Sequence, residues 1–243
     1  MHETELWITK LFNDFLPGVG NTLIGIVGMA PEPRPWANFV TMQLLVAAII
    51  IVLFAFLKPR LSADHPGKLQ HTFELVYDFL REQADEQVGH DGLKYVGYFG
   101  TIFIFILFSN LIGVIPGMES PTMVPSVPAG CAMATFFYYN IVGVQAIGIG
   151  KYLGHFAGPM PLLAPLMIPI ELVSHMARPL SLTIRLFANM YAGEQVTMVF
   201  LKLTFFLIPA VFMGLHVFVS FLQAYIFMLL TMMYVAGAVS HEH

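Results

Sequence analysis

The chain has 243 residues, of which only 11% are charged, against about 25% in an average soluble domain; its mean hydropathy of +0.75 makes water a poor main solvent for it. A formal net charge of −4 argues against nucleic acid as a partner, and the single cysteine, Cys131, excludes an internal disulfide and a thiolate zinc cluster. Uncharged runs cover residues 35–57, 95–118, 120–150 and, apart from His216, 203–240, each longer than the roughly 20 residues that cross a bilayer core of about 30 Å.

The expected fold is therefore all-α and polytopic, with about five transmembrane helices in one domain over residues 37–240. The opening MHETELWITK lacks a basic stretch leading straight into a short apolar one, so no cleaved targeting segment is expected. Residues 1–36 read as an amphipathic and Pro/Gly-rich lead-in on the outer side, with PEPRPW as a stiff approach to a first span at 38–57. Over 66–89, Leu69, Phe73, Val76, Tyr77, Leu80, Ala84 and Val88 recur at helical spacing with Glu74, Asp78, Glu82 and Asp85 between them. That pattern fits an amphipathic helix at the membrane interface or against a partner, and equally an ordinary surface helix.

A second span is expected at 95–115, ending at Pro116-Gly117, and a third at 129–149. A Gly/Pro-rich connection (GHFAGPMPLLAP) then leads to two long segments, 163–200 and 207–239, paired as a hairpin. The first of them would be roughly 57 Å long at 1.5 Å per residue. It must tilt steeply or kink to fit a bilayer, and Pro179 supplies a place to kink. Lys58, Arg60, Lys68, Arg81, Lys94 and Lys151 fall on one side of these spans, and Lys10, Arg34 and Lys202 on the other. The excess puts the N-terminus outside and the C-terminus in the cytoplasm.

The functional signal is a polar stripe within the two long segments. At about 100° per residue, Glu171, His175, Arg178, Arg185 and Asn189 share a narrow arc of one face, and Glu194 projects elsewhere, about 13 Å beyond Arg185. His216, Ser220, Gln223 and Tyr234 share a face of the last helix, so Asn189 or Arg185 can meet Gln223. An arginine at a helix centre costs about 2.5–3.5 kcal/mol to insert, and intramembrane ionisable groups mark ion pathways or helix-joining pairs. Arginine does not release its proton; Glu171, His175, Glu194 and His216 can titrate. A fixed charge with titratable groups on two sides has the layout of a gated proton path.

These residues resemble the subunit a family of F-type ATP synthases, most closely in SLTIRLFANMYAGE (181–194) and HVFVSFLQAYIFMLLTMMY (216–234). FSNLIGVIP (108–116) and ELVSHMARPLS (171–181) are similar to two further motifs, and the likeness covers most of 36–240. The resemblance implies a non-catalytic stator subunit of a bacterial plasma-membrane complex, holding two offset half-channels against a ring of c subunits. It implies that Arg185 faces the ring carboxylate, with Asn189 and Gln223 as polar neighbours. It assigns Glu194 and His216 to the outer half-channel, and Glu171 and Ser174 to the inner one, with His175 beside them. Implied partners are the c-ring, peripheral-stalk b subunits, the lipid bilayer and, indirectly, the F1 catalytic sector; no cofactor is implied. Gly113 stands where some bacterial members carry an aspartate after the asparagine matched by Asn110, so no acidic role is implied there. Two other classes remain to be weighed. A proton- or cation-coupled secondary transporter would show inverted repeats, and none is visible. An intramembrane hydrolase built on Glu171 and His175 would need a third metal ligand, and no His-Glu-x-x-His motif is present.

Overall fold

A computed structural model of the chain describes residues 5–26, 28, 30–62, 67–115, 117–150, 152, 164–203 and 207–239. The described residues form helices and connecting turns, with no strand among them. In chain order the α-helices are α1 (Trp7–Phe15), α2 (Pro17–Ile26), α3 (Asn38–Leu57), α4 (Lys68–Val88), α5 (Val96–Leu111), α6 (Ser126–Ile147), α7 (Ala164–Leu203) and α8 (Leu207–Val239). Most of the Gly/Pro-rich connection before α7, Lys151 and the last four residues lie outside the described residues.

The lead-in is more ordered than its composition suggests. It forms α1 and α2, and polar side chains clip α1 to the start of α3. The Thr9 and Thr41 hydroxyls lie 2.7 Å apart, while Asn13 donates to the Trp36 carbonyl at 3.1 Å and accepts from the Trp36 N–H at 3.0 Å. These bonds satisfy backbone groups that the break at Pro35 leaves outside any helix. Arg34 pairs with Glu5 at the same end.

Helix bounds shift by a few residues from expectation. The second span is α5 followed by a 3-10 turn at Ile112–Val114, and the third begins at Ser126 and ends at Ile147. Helices α4 and α6 stop at Gly89 and Gly148, whose φ values of 83° and 82° suit a residue without a Cβ. Among the described residues, four stretches are long and apolar enough to cross a membrane: Asn38–Arg60, Gly92–Val114, Ser126–Ile147 and Ala210–Val239. That is one fewer than expected, and the difference is α7. At 40 residues it is long enough, but Glu171, Arg178, Arg185 and Glu194 interrupt its apolar sequence.

Helix α8 is the centre of the bundle, packing on α4, α5, α6 and α7. Its Ala224, Met228, Met232 and Val235 are fully buried with Phe99 and Ile106 of α5 and Leu186 and Met190 of α7. Between apolar helices in a bilayer, close van der Waals fit supplies the attraction. Small residues permit it: a Cβ at Gly143 of α6 would stand 3.0 Å from the Ala238 Cβ of α8.

The amphipathic segment is α4, and its apolar stripe divides. Leu80 and Ala84 are buried against α5 and α8, Gln83 accepts a 3.0 Å bond from the Tyr225 hydroxyl, and Phe73 packs on Phe54 of α3 at 5.4 Å. Leu69, Leu75 and Tyr77 remain exposed. Leu80→Asp is expected to undock α4, because a buried carboxylate without a partner is strongly disfavoured; Leu75→Asp, on the exposed side, is expected to leave it in place. Amide hydrogen exchange of residues 68–88 in detergent checks this: protection falls in the first variant and is unchanged in the second.

Candidate functional site

Helix α7 carries six of the eight expected site residues, and the structure sorts them into two polar clusters separated by a dry layer. In the first cluster His175 is buried. Its Nε2 lies 2.9 Å from the Asn140 Oδ1, which also accepts from the Tyr152 hydroxyl at 2.7 Å. As Asn140 Oδ1 can only accept, Nε2 carries the proton in this arrangement. The Tyr139 hydroxyl stands 3.3 Å from the same nitrogen. One turn away, Arg178 reaches Glu171 at 3.6 Å and lies over the rings of Tyr139 and Tyr234, 5.9 and 5.4 Å from their centroids, in cation–π range. Ser174, expected beside them, is exposed and bonded to no described residue.

The second cluster lies near the other end of α7. Glu194 and His216 are each 7% exposed, on α7 and α8. They are neighbours without being bonded: a Cβ at Gly193 would stand 3.2 Å from the His216 Nδ1, so glycine is what lets the imidazole lie against α7. The Glu194 Oε2 and His216 Nε2 have no hydrogen-bond partner within the chain. Buried polar atoms in that state call for water or another molecule.

The loop after α5 closes this cluster. A Cβ at Gly113 would be 2.8 Å from the Ser120 Cβ, so the absence of a side chain there lets the loop fold back tightly. Ser120 donates to the Ser109 carbonyl at 2.9 Å. Thr122 donates to the Asn110 Oδ1 at 2.7 Å, and Asn110 donates to the Ser220 carbonyl of α8 at 3.4 Å. The turn Pro121–Met123 packs on α7, which brings the loop to the Glu194 end of that helix.

Between the clusters the facing surfaces of α7 and α8 are apolar: Leu182, Leu186, Met190, Phe227, Met228 and Met232 are all at most 2% exposed. One polar bridge crosses beside this layer, Asn189 donating to the Gln223 Oε1 at 2.8 Å, as expected from the stripe. The alternative partner expected for Gln223, Arg185, does not take that role. Arg185 is half-buried and makes no hydrogen bond or ion pair with a described residue. It stands on a face where Ser181, Ile184, Ala188 and Ala192 are exposed, a ridge of mostly small side chains.

Several members of the two clusters were invisible from stripe spacing alone: Tyr139, Asn140 and Tyr152 in one, Ser109, Glu119, Ser120 and Thr122 in the other. A Tyr-Tyr-Asn run inside an otherwise apolar span was the available signal for α6. The loop residues had none, because their proximity to Glu194 depends on the fold back at Gly113. Among the described residues no group of three or more His, Cys, Asp or Glu side chains is arranged to hold a metal ion.

Comparison with known proteins agrees with this architecture. The family model described as ATP synthase A chain matches residues 40–236. A protein named ATP synthase subunit a from Solibacter usitatus is 84% identical over 233 residues, covering 96% of this chain and all of that one. Proteins of the same name from Koribacter versatilis and a Sulfurihydrogenibium species are 44% and 43% identical, over 98% and 82% of this chain and 98% and 95% of their own lengths. With the polar clusters, the apolar bundle and a match over most of its length, the chain belongs to the ATP synthase A chain family.

Proposed function

We propose that this chain conducts protons through two separate half-paths that meet only through a carboxylate carried by a rotating ring of c subunits. The observation that carries the reading is Arg185: a permanent cation beside an apolar layer, without an ion-pair partner among the described residues of its own chain, on an exposed face of small and apolar side chains. A desolvated charge is costly unless it is paired, so its counterion belongs to a neighbouring subunit. The small residues of that ridge favour close approach of a partner helix.

In this reading the Glu194–His216 cluster is the outer half-path. A proton taken up there neutralises a ring carboxylate, which then moves away from Arg185 into lipid. After nearly a full turn the carboxylate releases its proton to the inner half-path, lined by Glu171, His175 and the tyrosines around them. Ser174 is exposed on the same stretch of α7 and would face this half-path in the assembled complex. Asn189 and Gln223, bonded to each other, hold α7 and α8 in register where the ring passes. The chain itself performs no bond chemistry beyond proton transfer. Each proton crossing 100 mV makes about 2.3 kcal/mol available, which the complex uses as torque on its catalytic sector.

The same reading places the chain in a bacterial plasma membrane, with the N-terminus outside and the C-terminus in the cytoplasm. Exposed Ile51 and Phe56 of α3 and Leu69 and Tyr77 of α4 give peripheral-stalk b subunits and lipid an apolar surface.

Two outcomes test this. Arg185→Lys replaces a planar cation with a compact, strongly hydrated one. It is expected to lower proton-driven ATP synthesis in reconstituted vesicles by ~10²-fold or more, the loss typical of removing one preorganised charge contact, with the complex still assembled; normal synthesis would exclude the gating role. Glu194→His and His216→Glu are each expected to slow ATP-driven pumping. Combining them should restore more than the sum of the single losses, with a coupling of about 0.5–3 kcal/mol. Strictly additive deficits in the pumping assay would show that the two residues do not share a path.

A further inference from the structure

Glu119 is the one titratable side chain of the loop between α5 and α6, and three features fix its place. The loop is pressed onto α5 at Gly113, where Ser120 atoms lie 2.8–3.2 Å from the position of a Cβ. The next residue, Ser120, is held by its bonds to Ser109 and Thr122. Glu119 itself is half-buried and accepts a 3.3 Å bond from the Asn38 Nδ2, at the point where α3 begins. The turn that follows it, Pro121–Met123, packs on α7, so Glu119 stands partly exposed at the same end of the α7–α8 pair as Glu194, which is almost completely enclosed.

In this cluster the Glu194 Oε2, the His216 Nε2 and the Ser109 Oγ are buried without a hydrogen-bond partner among the described residues. The titratable groups on the elements packed at this end of α7 are Glu119 from the loop and His216 from α8; α3 contributes neutral Asn38, bonded to Glu119. An enclosed acid with a free oxygen cannot collect protons from bulk water quickly by itself. A partly exposed acid beside it can, because it is hydrated on one side and shares a low-dielectric boundary on the other.

We propose that Glu119 is the entry acid of the Glu194 half-path, taking protons from solvent and passing them inward to Glu194. In each transfer the O–H bond on Glu119 breaks and one forms on Glu194, directly or through a bridging water. Glu119 returns to carboxylate as Glu194 becomes a carboxylic acid, so the charge of the pair is unchanged. Asn38 acts as a positioning residue, holding the Glu119 carboxylate by its second oxygen.

The inference rests on the proton-path reading above, and its test separates the two. The experiment uses the whole complex reconstituted in liposomes, reading the initial rate of ATP synthesis driven by an imposed pH and voltage difference. Glu119→Gln keeps an oxygen for Asn38 but cannot carry a proton; it is expected to slow synthesis at least about tenfold, less than the ~10²-fold worth of a fully positioned proton-transfer group because buffer reaches the site. Glu119→Asp is expected to recover most of the rate. Glu119→Ala is expected to be slow and to be accelerated severalfold by formate or acetate in the medium on the Glu119 side, since a small acid can stand in the space of the lost carboxyl. A Gln variant at the unaltered rate, or an Ala variant that assembles and does not respond to small acids, would overturn the proposal. Failure of the proton-path reading looks different: Arg185→Lys would then synthesise ATP normally, whatever happens at Glu119.

Discussion

The structure depends on one unpaid electrostatic debt, the guanidinium of Arg185. It sits midway along a 40-residue helix, half-buried, with no ion pair to a described residue of its own chain. The other arginine of the helix, Arg178, is neutralised by Glu171 and covered by two tyrosine rings. The contrast separates the two in kind. Arg178 is part of a closed network that joins α6, α7 and α8. Arg185 has no ion-pair partner among the described residues and stands on a face of mostly small side chains, which is why the proposed function gives it a partner on another subunit.

The remainder of the bundle keeps that charge in place and keeps water away from it. Fully buried Leu186 and Met190 of α7, with Met228 and Met232 of α8, separate the two polar clusters along the helix pair. In a low-dielectric layer of this kind an uncompensated proton is far costlier than at either end. Glycines carry part of the geometry: Gly193 admits His216 to the side of α7, and Gly113 admits the loop that brings Ser120 to Glu194. A packed apolar middle with open polar ends is what a path interrupted by design requires.

Much of this was legible in the sequence because helical periodicity is a local property. Residues four or three apart on α7 and α8 must share a face, so the Asn189–Gln223 contact followed from spacing. The identity of the SLTIRLFANMYAGE motif then pointed to the family. What was not legible depends on contacts between distant segments. Nothing local announces that Asn140 and Tyr152 bond to one another and meet His175, or that the loop carrying Glu119 packs on α7, the helix of Glu194. The Pro and Gly content of the lead-in likewise hides how α1 is held, by Thr9 on Thr41 of α3 and Asn13 on the Trp36 backbone. The number of apolar spans was overcounted because α7 combines the length of a spanning helix with charges that lower its hydropathy.

The central claim is that the charge of Arg185 keeps two proton paths from joining. Its most direct measurement is the passive proton leak through the membrane complex in liposomes, with the soluble catalytic sector removed and ring rotation blocked by a cross-link to this chain. With Arg185 in place, an imposed pH difference should decay no faster than in empty liposomes. With Arg185→Ala the decay should accelerate, because protons can then pass from one cluster to the ring carboxylate and on to the other without any rotation. An equal, slow decay in both would contradict the account, since the barrier would then lie in the apolar layer alone.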